Sequence, residues 1–340
     1  MVKRILSLCL LVALVLSLLS CGGGEGGSGE VKKRYYYEYC FDTFGTLYDY
    51  SGSSDEDFDR LADYVGAELA EYHRLFDIYH EYDGIVNLAT LNRLAGEGAQ
   101  RVDERIIDML LFAKEMYELT DGECNVAMGA VLSIWHDYRT EGIALPSEEE
   151  LRLAAEHTDI DDLVIDREAG TVELRDPEMS LDVGAVGKGY AVEVIAKKME
   201  DDGLSGYILD VGGNLRAIGT KLDGSGWRAG VKNPANPYST SYVYYLTLSD
   251  AALVTSGSYE RYYTVGGVNY HHIIDKDTLM PVNYYTSVSI MTKSSALCDA
   301  LSTALFNMTP EEARELVESI DGAFAVFVYA DGRVETAGKQ

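Results

Sequence analysis

The sequence predicts an α+β fold, in which helices mix with largely antiparallel strands in one folded unit. Apolar residues recur at helical spacing through much of the first half of the chain, and they alternate with polar residues, as in strands, through much of the second half. Gly266 and Gly267 separate two alternating runs, which is typical of a tight turn between antiparallel strands. We find no repeat of fixed period along the chain.

Local patterns predict the first elements in order. Residues 35–41 are rich in tyrosine and predict a strand, and the DTFGT segment at 42–46 predicts a turn. Residues 54–80 keep apolar side chains at helical spacing and predict a long helix. Asn87 and Asp103 are the predicted N-caps of the next two helices.

The middle and the end of the chain follow the same logic. Residues 123–135 predict a loop entering a helix, and at 146–150 Ser147 and Glu150 form a predicted capping box. Residues 163–165 and 171–174 predict a hairpin, and a helix is predicted to begin at Ser294. The remaining predicted elements are strands at 227–231, 242–248, 259–265, 268–274 and 287–291, a helix at 310–320 and a hairpin at 331–332.

Length and charge limit the function classes. The 340 residues are 47% hydrophobic, enough to bury a substantial core, and the formal net charge is −28. A nucleic-acid partner is excluded, because a surface that follows a phosphate backbone needs clustered Lys and Arg. A phosphate-bearing ligand would therefore have to be held locally, by backbone amides, one or two cations and a metal.

The N-terminus predicts export. Two basic residues precede an apolar run at 5–19, which is short for a membrane span of ~20 residues but suits a signal-peptide core. LLSC at 18–21 resembles a bacterial lipobox, so we expect a signal peptide at 1–20, a lipid anchor at Cys21 and a glycine-rich tether at 21–33 before the domain at 34–340. An uncleaved anchor helix is the alternative. Either way the protein is expected on the outer face or periplasmic side of the bacterial cell membrane.

Three further cysteines, Cys40, Cys124 and Cys298, show no spacing that indicates a disulfide framework or a zinc site. One pair could still form a bridge, and the sequence does not indicate which.

The segment at 181–219 is the centre of the functional prediction. Glycines at 184, 187 and 189 surround Lys188 before an amphipathic helix, and the amides at a helix start are natural donors to phosphate oxygens. The segment matches neither a Walker loop nor a dinucleotide-binding fingerprint. An ordinary turn with a solvated lysine is the alternative reading.

Two later segments carry groups that could do chemistry. Asp299, Ser302 and Thr303 share one face of the helix that begins near Ser294, and hard oxygen ligands of this kind suit Mg²⁺; a buried polar patch is the alternative. In HHIID at 271–275, His272 could take a proton from a hydroxyl, although a lone histidine is more often structural.

Eight motifs in order resemble those of the FAD:protein FMN transferases, the ApbE family of exported flavin transferases. They are FGT at 44–46, LNRL at 91–94, TDG at 120–122, LDVGAVGKGYA at 181–191, DVGGNLRAIG at 210–219, TSG at 255–257, HIID at 272–275 and DALSTALF at 299–306. The resemblance implies a T-fold-related single catalytic unit that uses Mg²⁺ and takes FAD as a substrate. It implies attachment of FMN to a Thr or Ser hydroxyl of an acceptor protein, expected to be a subunit of a membrane redox complex, with release of AMP.

The resemblance also assigns site residues. Those implied to contact FAD are Phe44, Tyr79, Glu123, Cys124, Asn125, Asp182, Lys188, Thr255 and Ile273. Those implied to hold the metal are Ala185, through its carbonyl, with Asp299, Ser302 and Thr303. His272 is the implied base, oriented by Asp275.

The chain departs from the family pattern at a few positions: Phe44 replaces a frequent methionine, Asn125 a usual aspartate, Lys276 a proline and Leu279 a glycine. Two other functions would keep the same site: hydrolysis of FAD to FMN and AMP, and a non-enzymatic flavin-binding lipoprotein.

Overall fold

The computed structural model describes residues 31–41, 43–237 and 240–339. The predictions made for residues 1–30 lie outside these ranges. In chain order the elements are β1 (Lys33–Cys40), β2 (Thr43–Asp49), α1 (Asp55–Phe76), α2 (Leu88–Arg93), β3 (Gln100–Arg101), α3 (Glu104–Leu119), α4 (Gly129–Glu141), α5 (Glu148–Ala155), β4 (Leu163–Asp166), β5 (Thr171–Leu174), α6 (Gly187–Asp201), β6 (Tyr207–Val211), β7 (Asn214–Ile218), β8 (Trp227–Lys232), β9 (Tyr242–Leu248), β10 (Ala252–Gly257), β11 (Tyr262–Val265), β12 (Val268–His271), β13 (Ser287–Thr292), α7 (Ser295–Asn307), α8 (Pro310–Ser319), β14 (Phe324–Val328) and β15 (Val334–Gly338).

One antiparallel sheet organises the molecule. Its eight strands lie in the order β1-β2-β6-β7-β10-β13-β14-β15. Smaller antiparallel units, β3-β5-β4, β8-β9 and β11-β12, lie outside it. The predicted α+β class with largely antiparallel strands is therefore confirmed.

Helices and a hairpin cover the two faces of the sheet. The main core joins α1, α3, α6 and α7 to one face, with Leu69, Leu110, Ile195 and Leu301 fully or almost fully buried. On the other face, Trp227 and Leu246 of the β8-β9 hairpin pack against sheet residues such as Val326. Burial on both sides explains why β14, FAVFV, reads as a continuous apolar run, and β13, SVSIMT, is buried throughout although its first residues alternate between serine and apolar side chains.

Side-chain caps fix the helix starts that the sequence predicted. Asn87 and Asp103 accept hydrogen bonds from the amides of Thr90 and Arg105, and Ser147 forms its capping box with Glu150. α1 ends at Phe76, earlier than predicted, because the carboxylate of Asp77 accepts hydrogen bonds from the amides two and three residues further on.

The turn predicted at 42–46 is wrong from Thr43 onward. Thr43 begins β2, and Thr46 pairs with Tyr36 of β1 on one side and Asp210 of β6 on the other. The chain reverses before Thr43, where Phe41 adopts a left-handed conformation with φ of 51°. Pairing with β6, far away in sequence, outweighs the local turn propensity of Gly45.

Cys124 and Cys298 are buried free thiols, so no bridge joins them. Burial raises the pKa of each thiol to about 12. In the described part of the chain, no helix is both long enough and apolar enough to cross a membrane.

Candidate active site

A cavity of about 270 Å³ opens where α1, α4, α6 and α7 meet the segment that follows β12. The predicted site residues that line it are Tyr79, Glu123, Cys124, Asn125, Asp182, Ala185, Lys188, His272, Ile273 and Thr303. Residues that are far apart in the sequence therefore line the same cavity. Phe41 and Phe76 add an aromatic surface to it, and both lie within the main core or against it.

Lys188 and Asp299 join the two central segments of the sequence. The Lys188 ammonium lies 2.8 Å from Asp299 Oδ1, and the amide of Gly189 donates to Asp299 Oδ2 at 2.7 Å. The carboxylate thus binds an amide at the start of α6, which is where the helix dipole favours a negative charge. In this structure, the amide of Gly189 therefore binds the carboxylate of Asp299 on α7.

Gly189 is required for this close approach of α6 and α7. A Cβ added there would lie 2.3 Å from the Asp299 Cβ and 2.6 Å from the Ser295 carbonyl oxygen. Any larger residue would push the two helices apart. The role of this glycine is therefore packing between helices, in addition to the tight turn that the sequence suggested.

Oxygen atoms follow one face of α7 toward the cavity. Asp299, Thr303 and Asn307 are spaced by four residues, and the buried Oδ1 of Asn307 has no hydrogen-bond partner among the described residues. Ala185 and Thr303 both line the cavity, and each Asp299 oxygen keeps a lone pair beyond its present hydrogen bond. This is a hard-oxygen donor set of the kind that Mg²⁺ prefers, so the residues fit the metal.

Five predicted residues lie outside the cavity lining: Phe44, Thr255, Asp275, Asp299 and Ser302. Ser302 is buried, donates to the Asp299 carbonyl at 3.0 Å and pairs with the Ser256 hydroxyl at 2.8 Å. Thr255 shares a 2.7 Å hydrogen bond with Ser289 on the neighbouring strand, and Phe44 lies partly exposed on β2. The Ser302–Ser256 contact ties α7 to β10, and the Thr255–Ser289 contact ties β13 to β10.

His272 is oriented by the backbone of Arg261. Its Nδ1 lies 3.2 Å from the Arg261 carbonyl oxygen, which can only accept, so Nδ1 carries the proton and Nε2 keeps its lone pair. Burial and the charge of Arg261 lower the pKa of His272 to about 4. The imidazole is therefore neutral at pH 7 and can accept a proton at Nε2.

Asp275, the predicted orienting residue, makes different contacts. Its Oδ1 accepts hydrogen bonds from the amide and hydroxyl of Thr278, which closes the turn after His272. Leu279 ends that turn with φ of 57°, a left-handed conformation at the position where the family pattern has glycine. Its carbonyl accepts the indole hydrogen bond of Trp135 at 2.9 Å, which fixes the turn against α4.

Glu123 sits in a mixed acidic and basic cluster at the cavity edge. Burial raises the pKa of Glu123 to about 7, although the Lys276 ammonium 3.4 Å from Oε1 opposes this shift. Carboxylate oxygens of Glu123, Asp275 and Asp277 lie within 4.8 Å of one another. Lys276, one of the departures from the family pattern, therefore neutralises part of a local negative cluster.

Sequence reasoning missed several residues of the cavity: His136, Arg139, Arg261 and Asn307. Only Asn307 had a usable signal, the four-residue spacing from Thr303.

Burial raises the pKa of the Asp182 carboxyl, and the nearby charges of His136, Arg139 and Arg261 oppose that shift. Asp182 Oδ1 accepts from the amide of Gly184 at 2.8 Å.

A second buried network holds α6 and α7 in register. Arg216 on β7 is only 1% exposed and pairs with Glu193 and Glu200 of α6, and with Asp250. Glu193 Oε2 also accepts from the amide of Ser295, the first residue of α7, at 2.6 Å. One side chain of α6 therefore fixes the start of the helix that carries Asp299.

Comparison with known proteins places this cavity in context. A family model described as the ApbE family matches residues 44–328. The chain is 30% identical to the FAD:protein FMN transferase of Treponema pallidum, over 95% of this chain and 92% of that protein, and 28% identical to that of Vibrio cholerae, over 77% and 75%. The crystal structure of the ApbE protein from Thermotoga maritima superposes with a TM-score of 0.78 at 27% identity, covering 90% of this chain and 97% of that one.

Proposed function

The chain belongs to the ApbE family of flavin transferases, and on that premise we propose that it moves FMN from FAD to a Thr or Ser hydroxyl of an acceptor protein, releasing AMP. The observation that carries the proposal is the single cavity that Lys188, His272 and Thr303 line together, with Asp299 fastened to Lys188. These are the groups that transfer of a phosphoryl ester needs: a base, a cation and oxygen ligands.

The proposed reaction begins at the acceptor hydroxyl. Its oxygen attacks the phosphorus on the flavin side of the FAD diphosphate, and a new phosphoester bond forms. The bond from that phosphorus to the bridging oxygen breaks, and AMP departs with the bridging oxygen and the electron pair. The hydroxyl proton passes to Nε2 of His272, whose neutral state at pH 7 and fixed tautomer suit it to this role.

Charge on the diphosphate is balanced by this chain's own groups. Lys188 reaches into the cavity while it remains bound to Asp299, so its position is fixed before the substrate binds. We propose that the Ala185 carbonyl, Asp299 and Thr303 would hold Mg²⁺, which would supply further neutralisation of the diphosphate charge when bound. The aromatic surface of Phe41, Phe76 and Tyr79 suits a flavin ring.

We also propose an exported, lipid-anchored location, based on the lipobox-like LLSC at 18–21 and the glycine-rich stretch that follows. A tether would let the domain reach an acceptor at the membrane surface, and a flavin-carrying subunit of a membrane redox complex is the acceptor we expect. Globomycin, which blocks lipoprotein signal-peptide cleavage, tests the anchor. The proposal requires accumulation of an uncleaved form in cells treated with the drug.

The transfer itself is tested by incubating the purified domain with FAD, Mg²⁺ and a candidate acceptor domain, and by following covalent flavin fluorescence on a denaturing gel. Labelled acceptor supports the transferase. Free FMN and AMP without labelling would indicate a hydrolase, and intact bound FAD would indicate a carrier.

Variants of the site sharpen this test. Asp299→Ala and His272→Gln should each reduce labelling by at least about a hundredfold, within the range typical of losing general-base catalysis or an electrostatic group. Asp331→Ala is the matched control, because that carboxylate is exposed and lies outside the cavity. Full activity of Asp299→Ala would overturn the metal assignment.

A further inference from the structure

Two arginines that line the cavity lack an ion-paired carboxylate. Arg139 on α4 and Arg261, just before β11, both line the cavity, and neither forms an ion pair among the described residues. By contrast, other arginines such as Arg93, Arg152 and Arg167 each pair with an aspartate or glutamate. In a chain of net charge −28, two arginines that line one cavity without ion-pair partners indicate an anionic ligand.

Both arginines sit on fixed supports, Arg139 through its side chain and Arg261 through its backbone carbonyl. Arg139 Nη2 donates to Nδ1 of His136 at 3.1 Å, and the Arg261 backbone binds both the amide and the ring of His272. Trp135 packs against Tyr263 and Tyr270, with ring centroids 6.4 and 6.3 Å apart, and so joins α4 to the β11-β12 hairpin. The two arginines are therefore held on elements that contact each other.

The two cations also disturb each other. Burial and the charge of Arg261 lower the pKa of the Arg139 guanidinium. Asp182 is near enough to oppose this shift, but it forms no ion pair with either arginine. A bound anion would relieve the repulsion, which is the behaviour expected of a binding site rather than of a structural ion pair.

We propose that Arg139 and Arg261 form a second phosphate subsite, which holds the adenosine-side phosphate of FAD and the AMP that leaves. This inference rests on the proposed function and assigns the two phosphates of the same substrate. Guanidinium groups bind phosphate oxygens in pairs, with planar geometry that suits them to this ligand.

The charge changes of the reaction decide which phosphate goes to the arginines. The transferred phosphate has one ester and one anhydride bond before the reaction and two ester bonds after it, so it keeps one negative charge. The adenosine-side phosphate leaves as a monoester, so it gains one negative charge as the bridging bond breaks. Cations without a carboxylate partner stabilise that developing charge most, whereas the Lys188 ammonium is already shared with Asp299.

Binding of AMP to the metal-free protein tests the subsite without turnover. Isothermal titration should show that Arg139→Gln and Arg261→Gln each weaken AMP binding by about tenfold, which corresponds to ~1.4 kcal/mol for one charge-assisted contact. Adenosine, which lacks the phosphate, should bind all variants equally. FMN binding should change by less than about threefold.

Arg101→Gln is the matched control, since Arg101 is an exposed arginine on β3 outside the cavity. Arg139→Lys keeps a cation and should recover part of the AMP affinity, and thermal melting identifies any variant that fails to fold. If a Gln variant fails to fold, the Lys variants at 139 and 261 replace it, with a smaller loss expected. AMP affinity unchanged in the folded cavity variants, or FMN affinity lost as much as AMP affinity, would refute the subsite.

The outcome for the proposed function is separate. Acceptor labelling by the wild type, together with AMP binding that ignores both arginines, would remove the subsite and leave the transferase. AMP binding that depends on the two arginines, without acceptor labelling, would support the subsite and remove the transferase.

Discussion

Breaking the contact between Lys188 and Asp299 should destabilise the protein, because the pair fastens α6 to α7. The side chains are 22% and 6% exposed, and the charged atoms lie 2.8 Å apart. At an effective dielectric constant of about 20, the Coulomb attraction at that distance is ~6 kcal/mol. Ordering the lysine costs ~2 kcal/mol and desolvation removes part of the rest, so we expect a coupling of about 2–3 kcal/mol.

A double-mutant cycle measures this coupling. We expect Lys188→Met and Asp299→Asn each to lower the free energy of unfolding by about 3 kcal/mol, since each leaves the other group buried without its partner. The double variant should lose little more than either single variant. Urea unfolding of the metal-free domain, followed by circular dichroism, gives all four values, and the difference of differences is the coupling.

The exposed pair of Arg93 and Glu81 is the control cycle. Its side chains are 56% and 44% exposed, so its coupling should stay below about 1 kcal/mol. Strict additivity at Lys188 and Asp299, or a coupling no larger than that of the control pair, would refute the reasoning.

Three further outcomes are expected. Gly189→Ala should lower the free energy of unfolding by about 1–3 kcal/mol in urea titrations, because the new methyl group would overlap Asp299, even though alanine favours helices. Burial raises the folded-state pKa of Glu123 from 4.5 to about 7. Its contribution to stability is therefore present below pH 4.5 and is lost as the pH rises through 7. Relative to Glu123→Gln, the free energy of unfolding of the wild type should fall by about 3 kcal/mol over that range. Arg216→Met should cost about 3–5 kcal/mol by the same titration, because it leaves Glu193 buried without a counter-charge.

Each of these has its own control and its own contrary result. Gly66→Ala on α1 meets only the ring of Tyr37, at 3.0 Å, and should cost less than Gly189→Ala; equal costs would contradict the helix-overlap argument. A difference between wild type and Glu123→Gln that does not vary with pH would show that the carboxyl is not buried as described. For Arg216, the control is Arg60→Gln in an exposed pair, and a stable Arg216→Met variant would show that the network contributes nothing.

Much of the fold could be predicted because its signals are local. Asp103 and Ser147 cap helices through contacts two or three residues away, and a pattern of that length is visible in the sequence. The turn prediction for residues 43–46 was wrong for the opposite reason. Its strand depends on Asp210 and its neighbours in β6, and no local pattern reports a partner at that separation.

The residues of the candidate site also fall into those that a local pattern predicts and those that only the packing brings together. The glycine-rich turn and the oxygen face of α7 are short motifs, so Lys188 and Thr303 could be proposed one at a time. Their meeting in one cavity depends on the packing of α6 on α7, which the helix periodicities do not specify. Arg139 and Arg261 belong to no motif, and their importance comes from lining the cavity without an ion-paired carboxylate, which can only be seen in three dimensions.

The strand order has a practical consequence for measurements on this molecule. β1 and β15 form opposite edges of the large sheet, separated by seven inter-strand steps of ~4.8 Å, or about 34 Å if the sheet were flat. That span lies in the working range of energy transfer between two fluorescent dyes. One dye on each edge strand would thus report, in single molecules, whether the whole sheet opens at once or its edges peel away first.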